Sequence, residues 1–347
     1  MTGMIEITKV ALRPQPLGVF PFPAGLLLLP DAGEPGRMAL AGLMRGDAEV
    51  ALPEEWLFFK LAMEGDLAGA LAAIDRDDGI AIHNRIALGE DLPASGDLAV
   101  LHRAVRYAVG REDLPPDPEG LDAELLAFVL MLHSTYAIEH DQLERAIDPL
   151  QRAIAAARNV SPEFAAQLIG QLAALESDRP SVAIQHYREA LSLASGHAKT
   201  ELSLQLGIAL QGSAQGDELR IGAAVQALRE ALKVYTKDAY PKQWASAQLN
   251  LANALQSLPN SHREENLMEA VAIYDEILSV RNRALDPVGY ARLLANQANA
   301  LAHLGRFAPA MEKIGEAYKL FQRHNEPEMA ASAMNLLESI REQRDPR

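Results

Sequence analysis

Two pairs of asparagines share one spacing: Asn250 with Asn253, and Asn296 with Asn299, each three residues apart and offset from one another by 46. Three residues is close to one turn of an α-helix, so each pair would project from a single helix face. A carboxamide carries both a donor and an acceptor. A row of them can match the N–H and C=O of a peptide group without demanding a particular side chain, which is chemistry for holding a polypeptide and not for breaking a bond. Asn is also a poor helix former, so its return at the same two places calls for a reason. The competing reason is internal, since helix asparagines also cap turns or bond to neighbouring helices.

Groups that could do covalent chemistry are sparse. His133 and His140 stand seven apart, with Glu139 and Asp141 beside the second. A helical metal pair wants a spacing of three or four, as in H-E-x-x-H, which is absent. There is no Cys, so thiolate ligands, cysteine nucleophiles and disulfides are excluded. No G-x-S-x-G, P-loop or dinucleotide fingerprint occurs, and the stretch Gly212 to Gly216 has no Lys after it. Trp56 and Trp244 each follow a proline by three residues and read as packing anchors. The expectation is a chain that is not an enzyme and has no cofactor and no metal.

The elements that must position the amides are helices. Hydrophobic residues make up 49% of the 347 residues but aromatics only 5%, so the apolar content is mostly Ala and Leu, which let helices form and approach closely. The formal net charge is −15, and residues 1–120 hold 19 of the 47 acidic side chains against 10 of the 32 basic ones. Without a Lys/Arg face, nucleic acid is not expected as a partner. The acidic amino-terminal third would attract a basic partner, or it is ordinary solubilising charge. Met1 to Glu6 shows no secretory pattern, and the aliphatic run Leu26 to Leu29 is far too short to span a bilayer, so no membrane partner and a cytoplasmic location are expected.

Internal repetition organises the chain. Trp244-Ala245 through Leu249-Asn250-Leu251-Ala252-Asn253-Ala254-Leu255 returns as Tyr290-Ala291 through Ala295-Asn296-Gln297-Ala298-Asn299-Ala300-Leu301, every position offset by 46. Pro241 and Pro287 precede the aromatics by three, where proline suits a first helical turn. Leu204-Gln205-Leu206-Gly207-Ile208-Ala209-Leu210 is a third copy. After these runs come Ala146, Ala183, Ala224, Ala270 and Ala310, separated by 37, 41, 46 and 40 residues. Each is followed four residues later by a large residue: Leu150, Tyr187, Leu228, Tyr274 and Ile314. Small then large on one face is the pattern of a helix packed tightly on its neighbour.

This pattern resembles the tetratricopeptide repeat, most closely in Leu294, Ala298, Leu301, Gly305, Phe307, Ala310, Ile314 and Ala317. The longer unit and its asparagines are similar to the kinesin-light-chain-like variant. The resemblance implies an all-α, right-handed superhelical solenoid of antiparallel helix pairs, with the first helix of each pair lining a concave groove. By the family's positions, the groove residues are Glu201, Gln205 and Gln211, then Asn250 and Asn253, then Arg292, Asn296, Asn299 and His303. Arg292 is the one Lys or Arg among them, which speaks against the family's cationic clamp for a terminal carboxylate.

Residues 1–50 carry Pro14, Pro16, Pro21, Pro23, Pro30 and Pro35, which predict a proline-rich extended arm, with Ile5, Thr8, Val10 and Leu12 in a short strand. Residues 51–114 read as degenerate helical repeats, with Gly65-Asp66-Leu67 at a turn. Pro115, Pro116 and Pro118 mark a boundary, 121–325 the repeat array, and 326–347 a capping helix that turns Met329, Leu336, Leu337 and Ile340 inward. The functional expectation is a non-catalytic scaffold that binds a protein or peptide client. A dedicated assembly chaperone is the alternative, a peptide-sensing regulator the third reading, and a homo-oligomer stays open.

Overall fold

The proline and aspartate placements set where helices begin. Pro162, Pro180, Pro241, Pro287 and Pro327 each stand at the first position of a helix, where the missing N–H leaves no bond unmade. Asp66, Asp78, Asp122, Asp217 and Asp286 instead cap helix starts by accepting backbone N–H groups through the side chain. Gly65 and Gly305 end helices with φ of 84° and 72°, a conformation that side chains with a Cβ resist.

The computed structural model describes residues 23–44, 50–94, 96–108, 110–259 and 261–345. Among them are sixteen α-helices: α1 Gly33–Met44, α2 Leu57–Met63, α3 Leu67–Ala72, α4 Gly79–Ala87, α5 Gly96–Ala108, α6 Ala123–Glu139, α7 Leu143–Ala157, α8 Pro162–Leu175, α9 Pro180–Leu193, α10 Gly196–Gly212, α11 Glu218–Leu232, α12 Pro241–Ser257, α13 Arg263–Val280, α14 Pro287–His303, α15 Phe307–Arg323 and α16 Pro327–Arg344. No strand occurs among the described residues. Consecutive helices pack in pairs, α6 on α7, α8 on α9, α12 on α13 and α14 on α15, and each pair packs on the next within its unit. This is the tetratricopeptide-like architecture that the repeats imply.

The repeating alanines explain how close the helices come. Ala146, Ala224, Ala270 and Ala310 are wholly buried and Ala183 nearly so, and the large residues four positions later, Leu150, Leu228, Tyr274 and Ile314, are at 0% exposure. Burying a side chain of that size contributes about 1.5–3 kcal/mol. At the carboxy-terminal end α16 covers α15 with Ala330, Ala333, Leu337 and Ile340, while Met329 and Leu336 pack at the edge of the same cluster.

Contacts divide the chain into two units, one running to Leu202 and one starting at Ser203. The division falls within α10 and not at the prolines after residue 114, because α5 packs on α6 across that stretch. The proline-rich segment also departs from the extended arm expected through residue 50. Gly33–Met44 is a helix: Pro35 falls in its first turn, where proline is tolerated, and Arg37 to Met44 contains mostly good helix formers. Among the described residues, the stretch from Leu27 to Ala32 before it belongs to no helix or strand, with Leu27 in an extended conformation. The strand expected at Ile5, Thr8, Val10 and Leu12 lies outside the described residues.

Candidate functional site

In the unit that starts at Ser203, α12 and α14 are the first helices of successive pairs, and their asparagines meet. Asn296 donates from Nδ2 to Asn253 Oδ1 at 3.1 Å, which brings one member of each sequence pair to a common surface. Tyr274, from α13, donates its hydroxyl to the same Oδ1 at 2.7 Å and also lies 3.2 Å from Gln256 Oε1. The Tyr274 ring is fully buried, and that burial raises the phenol's pKa, so the hydroxyl stays protonated and can donate.

The amide orientations follow from these bonds. Asn253 spends its oxygen on Tyr274 and Asn296, leaving Nδ2 as a donor, while Asn296 spends its nitrogen and leaves Oδ1 as an acceptor. No other side-chain hydrogen bond engages either group among the described residues. Exchanging oxygen for nitrogen in both amides would reverse the roles and still leave one donor and one acceptor. The internal use of asparagine is therefore real here, but it consumes half of each amide.

The other expected positions differ in what they do. Asn250 donates from Nδ2 to the Ser246 carbonyl at 2.9 Å, a bond within its own helix. Asn299 is half-buried and makes no side-chain hydrogen bond among the described residues. Arg292 is exposed, with Nε 3.4 Å from Met329 Sδ of α16. Spacings of four, three and four place Arg292, Asn296, Asn299 and His303 on one stripe of α14. Partial desolvation and then the Arg263 guanidinium lower the pKa of His303, favouring its neutral form. Gln205 and Gln211 are half-buried on α10 within the same unit. Glu201 falls in the other unit, where its carboxylate adds to burial in raising the Tyr187 pKa.

Sequence reasoning missed three side chains. Tyr274 occupies a position that reads as core packing, and nothing in its spacing signals that its hydroxyl reaches the amides. Gln297, beside Asn296, turns the other way: it is 1% exposed and donates to Asp275 Oδ1 at 2.6 Å and to the Val271 carbonyl at 3.4 Å, tying α14 to α13. Asn84, in the first unit, does in cis what the ladder is expected to do. Its Oδ1 accepts from the Leu28 N–H at 2.8 Å and its Nδ2 donates to the Leu28 carbonyl at 2.9 Å. His83 Nε2 lies 2.7 Å from the Leu26 carbonyl, and Trp56 Nε1 donates to the Pro30 carbonyl at 2.9 Å, so a buried segment is held through its main chain.

The histidines flagged in the sequence pack against aromatic rings. Tyr136 stacks on His140 at 3.9 Å between ring centroids, and Tyr107 lies edge-on to His133 at 5.6 Å. Burial, then Arg152, lowers the His133 pKa to about 4. Among the described residues no group of three or more acids and histidines is placed to hold a metal, and no helix is long and apolar enough to cross a membrane.

No protein-family model and no curated protein matches the sequence. Among solved structures the chain is similar to a Rap protein complexed with Competence and Sporulation Factor, at 14% identity over 83% of this chain and 86% of that one, with a TM-score of 0.40. It is also similar to the TPR2AB domain of yeast Sti1 in its pHSP90 complex, at 15% identity over 83% of this chain and 96% of that one, with a TM-score of 0.27.

Proposed function

We propose that this protein is an interaction scaffold that holds a segment of a partner polypeptide by its main chain, on the surface formed by α12 and α14. The observation that carries the reading is the Asn253–Asn296 hydrogen bond, which leaves one donor and one acceptor side by side. A peptide group offers the complementary pair, C=O and N–H. Asn299, and Asn250 through its free oxygen, extend the same chemistry along their helices as in the Asn-rich kinesin-light-chain-like type. The Asn84 contact supports it, because the same side chain already grips a peptide group within this molecule.

Recognition of this kind is non-catalytic and tolerant of partner sequence. The test is partner capture by the Asn253→Ala, Asn296→Ala protein. Capture falls while helicity by circular dichroism is unchanged; undiminished capture overturns the reading.

A further inference from the structure

Gln256, Tyr274, Asn253 and Asn296 form one connected chain of polar groups across α12, α13 and α14. Gln256 Oε1 lies 3.2 Å from the Tyr274 hydroxyl, the hydroxyl 2.7 Å from Asn253 Oδ1, and that oxygen 3.1 Å from Asn296 Nδ2. Tyr274 is at 0% exposure, whereas the amides are half-buried and reach the surface. A hydroxyl has a single proton to donate, and its oxygen also accepts. It therefore cannot satisfy the oxygens of Gln256 and Asn253 at once, so one of these two amides must turn its nitrogen towards it.

Two arrangements meet that demand, and they differ only in which end of each carboxamide is nitrogen and which is oxygen. In the first, Gln256 donates to the Tyr274 oxygen, Tyr274 donates to Asn253 Oδ1, and Asn296 donates to the same oxygen. Asn253 then presents a donor at the surface and Asn296 an acceptor. In the second, Tyr274 donates to Gln256 Oε1 and accepts from Asn253 Nδ2, whose other proton goes to Asn296 Oδ1. Asn253 now presents an acceptor and Asn296 a donor. Asn250, by contrast, has one orientation, because the Ser246 carbonyl that its nitrogen meets at 2.9 Å can only accept.

We infer that Tyr274 and Gln256 are positioning residues that make the donor and acceptor of the Asn253–Asn296 pair interchangeable, so that this surface holds a partner's main chain in either direction. The inference rests on the ladder reading, in which the two asparagines grip a peptide segment. In an extended segment the N–H and C=O of one residue point to the same side, with the N–H first along the chain. A donor on α12 and an acceptor on α14 therefore take a segment running from α14 to α12. With the roles exchanged, the segment runs from α12 to α14.

The test reads the full-length protein by NMR, with isotope-labelled asparagine side chains. Gln256→Glu puts a carboxylate that only accepts beside the hydroxyl, which locks the second arrangement; Gln256→Lys puts a group there that only donates, which locks the first. The Asn253 and Asn296 carboxamide signals of the two variants shift in opposite directions, with those of the unchanged protein between them. In a Tyr274→Phe background, which keeps the buried ring, the two substitutions no longer move those signals apart. Identical signals in the two variants, or a separation undiminished without the hydroxyl, overturns the relay.

A Ser/Gly nonapeptide with a nitroxide at its amino terminus then reads the direction. In the unchanged protein it broadens backbone signals of both α16 and the Ser203–Gly212 part of α10. With Gln256→Lys the broadening moves to α16, and with Gln256→Glu to α10. Broadening on the same side in both variants overturns the reversal. No broadening in any of the three proteins sinks the ladder reading itself, while the carboxamide signals still decide whether the relay exists.

Discussion

Gly207 offers a sign test of the helix packing. It sits in α10 at the place that Ala252 and Ala298 fill in the later repeats, and a Cβ built on it would meet Leu228 Cγ at 2.6 Å, Cδ2 at 2.8 Å and the Leu228 backbone nitrogen at 3.3 Å. Leu228 is at 0% exposure, enclosed within the core. Gly207→Ala therefore sets two effects against each other: a gain of about 1 kcal/mol in helix propensity and an overpacking cost of about 1–3 kcal/mol. The net expectation is a loss of about 1 kcal/mol. Gly222, in the facing helix α11, has nothing within 4 Å of its would-be Cβ, so Gly222→Ala keeps the propensity gain of about 0.5–1 kcal/mol. Urea titration by circular dichroism, with hydrogen exchange resolved to α10 and α11, reads both. In a Leu228→Ala background the added methyl has room, and Gly207→Ala turns stabilising. If Gly207→Ala stabilises the intact protein as much as Gly222→Ala does, the close approach of α10 and α11 is wrong.

Two further outcomes follow from buried polar groups. Asn84→Ala strands the Leu28 N–H and C=O without their partner, which costs about 2–4 kcal/mol, and limited proteolysis then cuts near Leu28 far faster than in the unchanged protein. His133 titrates at about 4 in the folded chain and about 6.5 when unfolded, so the unfolded chain binds the extra proton first. Its contribution is complete above about pH 6.5 and is lost as pH falls through 6.5 toward 4. For a group that is only partly buried, this amounts to about 1 kcal/mol at pH 5. Hydrogen exchange across α6 at pH 7 and pH 5, corrected for intrinsic rates, shows that loss, and His133→Leu removes it.

The architecture was legible because helix packing writes itself into residue size. Ala at one position and a large residue four later can be read from spacing alone, and prolines and aspartates mark helix starts locally. The helix at Gly33–Met44 was hidden because six prolines were weighed together, although Pro35 by its place in the first turn terminates nothing. The site was legible only in part. The 46-residue offset marks the two asparagine pairs but not their contact, which joins non-equivalent members 43 residues apart, and the hydroxyl of Tyr274 reaches Asn253 from a position that spacing assigns to packing. Asn84 was invisible, since it contacts a segment 56 residues away and belongs to no repeat. Burial of a polar atom depends on what the chain brings to it, and local sequence does not carry that.

The central claim, that α12 and α14 jointly hold a partner's main chain, is tested most directly by one affinity ratio. The Asn253→Ala, Asn296→Ala protein is compared with a control altered on the second helices, Glu265→Ala with Lys319→Ala, in binding the partner that co-purifies with the unchanged chain. Two lost amide–peptide bonds of about 0.5–1.5 kcal/mol each predict an affinity lower by roughly five- to 150-fold for the asparagine variant. The control stays at the unchanged value. Equal affinities for the two variants would contradict the account.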